Sequence, residues 1–474
     1  MQTLDAIHPR TRNLVAPSAR QTVITVTLGE TLIQLGLAPV TAVLPAVAAA
    51  VGVGPVDGAW IITAYILALA GTLLVSGRLG DLVGHATMFR AGAVMFAIAT
   101  AAAGFVSTFE LLVLARTAQG VGGAMISGNN LAILTHTVAS TDRGKAIALV
   151  ATVSALAAVI GSGVGTLAVS AGGWRWLFLG VAPLAVWAAV RARRLPGRER
   201  MQSQVDWWGA ALLALTISLV AVALNHPHTN TDDLLMPVYH WWLPLLAVAA
   251  GTAFIVVEQR VQVPLMDWGQ LRRPLFAASI TVNAVLHMTM MGAMFLGPVL
   301  AVRGLGLDST AGGLLMVFVQ ASVVLTSLAG GWLFDRTGAL WIRPAAAVLL
   351  GLGLTMWALA GVTQSYLNLV IAGIVAGLGS GALLAVNNAV IMVSLPGQFR
   401  GVASGMLETT RHFGHAFGVT IPTAILAIVA AASVGTESQA LMDGFFWACL
   451  VMAALAFLGA GLAAVWRSDT RVHS

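Results

Sequence analysis

The chain has 474 residues, of which 58% are hydrophobic and only 9% are charged. Its mean hydropathy of +0.89 leaves too little polar surface to cover a water-soluble body of this length, so we expect lipid to be its solvent. The net charge of +6 does not predict nucleic-acid binding, because the basic residues lie between apolar segments, where membrane insertion and anionic headgroups account for them.

Fourteen apolar blocks follow one another along the chain, each long enough to cross a hydrocarbon layer about 30 Å thick. They run 21–50, 58–76, 88–106, 111–136, 144–170, 174–190, 207–224, 241–257, 275–301, 310–334, 341–362, 366–395, 401–433 and 444–466. Residues 1–20 have no apolar stretch with a cleavage site, so they predict a tail and not a secretory signal. The pattern predicts an all-α membrane protein with fourteen transmembrane helices.

Twenty of the 24 lysine and arginine residues fall in the two tails, in alternate gaps between these blocks, or within three residues of the block ends that border those gaps. Only Arg175 and Arg303 lie at the gaps on the opposite side, while Arg116 and Arg411 lie deeper inside blocks. Short basic loops are retained in the cytoplasm during insertion. We therefore expect both termini and the basic gaps to be cytoplasmic.

Three sequence features recur in the same order at an offset of about 255 residues. The segments 77–84, 120–130 and 143–144 correspond to 331–338, 377–388 and 400–401. The offset spans eight blocks, an even number, so two halves of six helices share one topology. The predicted organisation is a tail at 1–20, a half at 21–190, a linker at 191–206, inserted helices at 207–257, a linker at 258–274, a half at 275–466 and a tail at 467–474.

Several local motifs accompany this layout. They are Trp60 to Tyr65 followed by Gly77, Arg78, Asp81 and Gly84; Arg116 to Gly122 in block four; Gly173 to Phe178 with Pro183; and Glu258 to Arg260 with Pro264 and Leu265. Together they resemble the major facilitator superfamily, and specifically its fourteen-helix drug:proton antiporter branch.

That resemblance implies a multidrug-efflux type of transporter in the bacterial cytoplasmic membrane, conferring drug resistance. It would exchange protons for amphipathic or lipophilic compounds, cationic ones foremost. The partners implied are the bilayer, a small-molecule substrate and protons, with no ATP or other cofactor, in a monomer whose halves rock about a cavity lined by blocks one, four, nine and twelve. The resemblance assigns conformational roles to the following motif residues: Gly77, Arg78, Asp81, Gly84, Gly161, Gly165, Asp335 and Arg336.

The chain departs from the branch at three places. Leu82, His85 and Ala86 stand where the first motif has basic residues. Ser162 replaces a proline in block five, and Gly36 replaces an aspartate in block one. These departures bear on the residues that the branch uses for proton antiport.

Ionisable residues are costly within a bilayer, so each one needs a reason. Glu30 has Gln34 one turn later on the same helix face, which suggests a proton- or cation-binding carboxylate in the cavity. The alternative is a residue near the cytoplasmic end that reaches water. By resemblance Arg116 exchanges charge with a carboxylate, and Glu30 is one candidate partner; a static helix-packing bond is the alternative.

Block thirteen carries the densest polar face of the sequence. Spacings of three and four residues bring together Glu408, Arg411, His412 and His415. These groups are typical of proton transfer, with histidine as the group that titrates near neutral pH. The alternative is that the arginine and histidines only reach or cap the cytoplasmic end of the helix.

Amide and methionine side chains supply the remaining candidates. Asn129, Asn130, Asn387 and Asn388 occupy matching positions in the two halves, and block nine adds Asn283, His287 and Met291 in a methionine-rich segment. Amides bind varied ligands, and methionine suits an adaptable apolar pocket. The alternative for the asparagines is that they hold the two halves together, and methionine-rich helices are more often simple packing.

No metal-binding, phosphate-loop or nucleophile motif occurs, so we expect neither an enzyme nor a metal site. The lone Cys449 has no intrachain disulfide partner. Two functional alternatives stay open: dedicated export of a single metabolite, lipid or siderophore, and a non-transporting membrane scaffold or receptor.

Overall fold

The computed structural model describes residues 17–139, 142–171, 173–195, 206–225, 237–261, 268–396, 400–432 and 437–465. Within these ranges every regular element is helical. The tails at 1–16 and 466–474, and the linker segments 196–205 and 262–267, lie outside the described residues.

Eighteen α-helices are described along these ranges. They are α1 Pro17–Ala42, α2 Leu44–Ala50, α3 Pro55–Gly58, α4 Trp60–Val83, α5 His85–Phe105, α6 Phe109–Thr137, α7 Arg143–Ala171, α8 Trp176–Leu179, α9 Ala182–Ala192, α10 Trp207–Asn225, α11 Pro237–Glu258, α12 Trp268–Leu271, α13 Pro274–Val299, α14 Ser309–Thr337, α15 Ile342–Thr363, α16 Tyr366–Val393, α17 Arg400–Ala432 and α18 Glu437–Val465.

Ten of the described helices are long and apolar enough to cross a membrane. They comprise the main parts of α1, α4, α5, α7, α13, α14, α15, α16, α17 and α18. Three shorter apolar stretches, Trp176–Ala192, Trp207–Val220 and Trp242–Glu258, coincide with blocks six, seven and eight. Block four corresponds to α6, whose interior carries Arg116, Gln119, Asn129 and Asn130, all buried inside the protein.

Two predicted blocks are not single helices, and there the sequence interpretation is wrong. Block one breaks at Val43, between α1 and α2, because Pro45 in the first turn of α2 has no N–H to continue the hydrogen-bond ladder. Block six breaks between α8 and α9, where Pro183 occupies the first turn of α9. Block nine continues beyond α13 as a π-helical turn, Leu300–Gly304.

Helices that correspond in the sequence repeat pack in the same way among α1 to α7 and among α13 to α17. α5 packs on α6, α4 on α6 and α1 on α7, and these pairs are matched by α15 on α16, α14 on α16 and α13 on α17. Close approach depends on glycine: a Cβ on Gly122 would lie 2.7 Å from the Phe96 nitrogen, so α5 and α6 meet backbone to backbone. Gly379 plays the same part between α15 and α16, against Leu350.

The helices α1 to α9 and the helices α13 to α18 meet along two seams. At one seam α7 lies against α14, where Gly313 leaves space for the side chain of Thr166. At the other seam α4 lies against α17. The helix α10 packs on both α4 and α17, with Leu213 and Ile217 in an apolar cluster that includes Phe413.

Candidate substrate cavity

A cavity of about 290 Å³ lies between α1, α6 and α7 on one side and α13, α14, α16 and α17 on the other. Its polar lining on the first side comes from Glu30, Gln34, Ser127, Asn130 and Ser154. Its polar lining on the second side comes from His287, Gln320, Asn388, Glu408, Arg411 and His415. Most of the remaining wall is aliphatic or methionine, including Met290, Met291 and Met294.

Glu30 is the acid on the first wall. It is half-buried, and its Oε1 atom accepts hydrogen bonds from Ser127 Oγ at 3.1 Å and from Asn130 Nδ2 at 2.5 Å. Among the described residues Glu30 forms no ion pair. A carboxylate held by neutral donors at a cavity wall keeps its charge available to a ligand or a proton.

The second wall holds a neutralised pair and a group of rings. Arg411 forms an ion pair with Glu408. Glu408 also lines the cavity, which therefore has a second acid in addition to Glu30. His412 Nε2 lies 3.9 Å from Glu408 Oε2, but His412 is buried behind the wall. The His415 ring centroid lies 5.2 Å from that of His287 and 5.9 Å from that of His412.

Arg116 lies outside the cavity and is fully buried. Its Nε donates to the Ile61 carbonyl at 2.8 Å, and its Nη1 donates to the Gly36 carbonyl at 2.7 Å and to Gln119 Oε1 at 2.6 Å. Its Cζ atom stands 4.3 Å from the centroid of the Tyr65 ring. No carboxylate of the described residues pairs with it, so the considered Glu30 to Arg116 contact is absent from this arrangement.

Adjacent asparagines in α6 separate into two environments. Asn130 faces the cavity. Asn129 lies outside the wall and is fully buried: its Nδ2 donates to the Ser76 carbonyl at 3.1 Å, and its Oδ1 accepts from His85 Nδ1 at 2.8 Å. The predicted placement of Asn129 in the cavity is therefore corrected, because its amide forms hydrogen bonds to neighbouring helices.

The second half repeats this separation. Asn388 lines the cavity, whereas Asn387 Nδ2 donates to the Ser279 carbonyl at 2.9 Å and lies outside the wall. Asn283 also lies outside it, donating to the Leu407 carbonyl at 3.0 Å and to Thr410 Oγ1 at 2.9 Å. Both predicted cavity positions are corrected for the same reason: these amides join α13 to α16 and α17.

The motif at the end of α4 forms a polar cluster. Arg78 Nη1 lies 3.6 Å from Asp81 Oδ2, and His85 Nε2 lies 3.2 Å from Asp81 Oδ1. His85 thus occupies one of the motif's basic positions and joins Asp81 to Asn129. Gly84 has φ of 97°, a conformation that favours glycine and lets the chain turn from α4 into α5.

The other motif residues lie at helix contacts or on the surface. Gly77 lies against the Gly128 carbonyl, while Gly161 and Gly165 pack on Pro39 of α1. Ser162 donates to the Ala158 carbonyl at 3.1 Å within α7. Asp335 and Arg336 are exposed at the end of α14, where Arg336 Cζ is 4.1 Å from the Trp332 ring centroid.

Sequence reasoning missed one buried cation. Arg343 lies near one of the basic gaps in the sequence, but its side chain is 1% exposed at the start of α15 and donates to Ser279 Oγ at 3.0 Å. It also missed Ser127 and Gln320 on the cavity wall. Gln320 had a usable signal, since it is an uncharged polar residue in the middle of an apolar block.

Comparison with known proteins bears directly on this fold and cavity. The sequence profile of the Major Facilitator Superfamily matches residues 26–419 and 283–474. The chain belongs to the Major Facilitator Superfamily.

Relatives within the superfamily cover most of the chain. The uncharacterized transporter YebQ of Escherichia coli is 28% identical over 417 residues, 87% of this chain and 90% of that protein. The cephamycin export protein CmcT of Amycolatopsis lactamdurans is 28% identical over 466 residues, 92% and 91% of the two chains. The multidrug resistance protein Stp of Mycobacterium tuberculosis is 26% identical over 414 residues, 86% and 75%.

Solved structures show the same superfamily fold. A bacterial homologue of the human lysosomal transporter Spinster, inward-facing and unoccupied, aligns with a TM-score of 0.67 at 14% identity over 95% of this chain and 98% of that one. The xylose transporter XylE of E. coli, partially occluded and inward open, aligns with a TM-score of 0.65 at 11% identity over 97% and 100%. The chain is therefore a multi-pass membrane transporter, and its relatives are transporters and not enzymes.

Proposed function

We propose that the chain is a secondary active exporter of amphipathic or lipophilic compounds, cationic ones foremost, driven by proton antiport with alternating access. It works as a monomer in a bacterial cytoplasmic membrane, with both termini cytoplasmic and without ATP or another cofactor. Fourteen spans form two six-helix halves, blocks one to six and nine to fourteen, with α10 and α11 inserted between them.

The observation that carries this proposal is the environment of Glu30. Its carboxylate has no cationic partner among the described residues and lines a cavity whose wall is otherwise largely aliphatic or methionine. Such a group attracts either a proton or a substrate cation, and competition between them couples two opposite fluxes. Relatives named as multidrug transporters, MdtP of Bacillus subtilis and Stp, are consistent with a broad substrate range.

Dedicated export of one metabolite is the second candidate. It is favoured by relatives with a single named cargo, the cephamycin export protein CmcT and the riboflavin transporter RibZ of Clostridioides difficile. Binding of several unrelated cationic dyes by one purified preparation supports the broad exporter. Binding of one compound only supports the dedicated exporter.

The test is flux in proteoliposomes under an imposed pH gradient. We expect proton-driven dye transport and substrate-induced proton release by the wild type, and loss of both in Glu30→Gln, which keeps the shape but removes the charge. Glu110→Gln is the matched control, because Glu110 is an exposed acid in the first turn of α6. Unchanged proton release by Glu30→Gln would remove Glu30 from the coupling mechanism, and absence of flux in the wild type would reject the exporter.

A further inference from the structure

Asn130, which lines the cavity beside Glu30, carries a buried hydrogen-bond acceptor without a partner among the described residues. Asn130 Nδ2 donates to Glu30 Oε1 at 2.5 Å, and this contact fixes which end of the amide faces the carboxylate. The other end, Oδ1, is buried and has no hydrogen-bond partner among the described residues, and Asn130 as a whole is 6% exposed. A buried acceptor of this kind is stabilised by a ligand that donates.

A second acceptor lies on the facing wall. Asn388 Oδ1 is likewise buried without a partner among the described residues, and Asn388 lines the same cavity. His287 Nδ1 lies 2.9 Å from the Asn283 carbonyl, so Nδ1 carries the proton in the neutral ring and Nε2 is then an acceptor. Both walls therefore contribute acceptors.

Two donors on the same walls are already engaged. The Ser127 hydroxyl donates to Glu30, and the Arg411 guanidinium is paired with Glu408. The lining thus combines one unpaired carboxylate with amide oxygens that lack a donor. Its charge and its unsatisfied atoms both favour a cation that carries N–H groups.

The apolar part of the wall is the third observation. No phenylalanine, tyrosine or tryptophan is among the described lining residues, whose apolar members are aliphatic or methionine. A quaternary ammonium has no N–H to donate and is recognised chiefly by aromatic faces. This cavity offers such a cation the charge of Glu30 alone.

We propose that the cavity selects amphiphiles whose cationic group carries N–H bonds, that is, protonated amines or amidines, over quaternary ammonium compounds. The N–H groups donate to Glu30 and to Asn130 Oδ1, with Asn388 as an acceptor on the opposite wall. The apolar body of the ligand packs on Met290, Met291 and Met294. This selectivity rests on the proposed function in taking the cavity as the substrate site.

The experiment compares a matched pair: a lipophilic primary amine, protonated at the assay pH and carrying three N–H groups, and its N,N,N-trimethylated quaternary salt. Binding to the purified full-length protein in lipid nanodiscs is measured by calorimetry. We expect the amine to bind about tenfold more tightly or better, the effect of one hydrogen bond to a buried acceptor. Asn130→Leu, which has a similar volume and no acceptor, should lower the preference for the amine, and the part that remains reflects donation to Glu30 and to Asn388.

Asn388→Leu tests the acceptor on the opposite wall, and it replaces Asn130→Leu if that variant does not fold. It should also lower the preference for the amine over the quaternary salt. Asn368→Leu is the control, since Asn368 is exposed on the same helix and lies outside the cavity lining. Equal affinities for the two compounds in the wild type overturn the selectivity, and proton-driven flux of both in proteoliposomes would then leave the exporter standing. Absence of binding and flux for both compounds overturns the selectivity and the exporter together.

Discussion

At the scale of single residues, the sequence shows which polar groups lie within apolar blocks, but it does not show in which direction each side chain points. Glu30, Gln34, Arg411 and His415 lie on the cavity wall, as their rarity within apolar blocks suggested. The paired asparagines could not be resolved, because two neighbours on a helix point about 100° apart and both are equally rare in such a block. Helix rotation, set by packing against α4 and α5, places Asn130 on the wall and Asn129 behind it.

Arg116 gives a stability prediction at this scale. Its planar guanidinium donates simultaneously to the carbonyls of Ile61 and Gly36 and to the side-chain oxygen of Gln119, and a lysine ammonium does not reproduce this geometry. Arg116→Lys should therefore destabilise the purified protein by about 1–3 kcal/mol, measured as a lower midpoint of thermal unfolding. Arg175→Lys is the control: Arg175 is exposed and donates to a single carbonyl, so its midpoint should barely move. Equal midpoints for both variants would contradict the role of this network.

At the scale of elements, hydropathy predicted where helices occur but not where they break. Blocks one and six are hydrophobic overall, so hydropathy alone does not mark the interruptions at Val43 and Gly180. The breaks arise from Pro45 and Pro183, which have no backbone N–H and therefore interrupt the hydrogen bonding of the helix at these points. The sequence contains 51 glycines, and close helix crossings such as those at Gly122 and Gly379 depend on residues of this size.

The α7 to α14 seam gives a prediction about element packing. A Cβ on Gly313 would collide with the Thr166 side chain, so Gly313→Ala should part the two helices and cost about 1–3 kcal/mol. Thr166→Ala removes the colliding hydroxyl, so the double variant should be less destabilised than the sum of the single variants. Thermal unfolding of the four proteins measures this coupling. Gly461→Ala is the control, with no atom within 4 Å of the added Cβ, and strict additivity at the seam would show that the contact does not form.

At the scale of the whole molecule, the duplicated motifs agree with the repeated packing of α1 on α7 and α13 on α17. Sequence repeats reveal this because equivalent helices need small residues at equivalent contacts. The position of α10 across the α4 to α17 seam had no sequence signal, since its apolar residues suit lipid and protein equally well. The cavity likewise depends on helices far apart in the chain.

The sidedness of the molecule gives the last prediction. Twenty of the 24 lysine and arginine residues fall in the tails or at alternate gaps, and short basic loops stay in the cytoplasm. A membrane-impermeant maleimide applied to intact cells should therefore label Ser107→Cys, in the gap before α6, and should label Arg194→Cys and Arg272→Cys only after permeabilisation. All three positions are exposed, and the natural Cys449 is buried, so the unmodified chain is the low-background control. Labelling of the two arginine positions from outside would show that the topology is the reverse of the one predicted, and the proposed direction of transport would then be wrong.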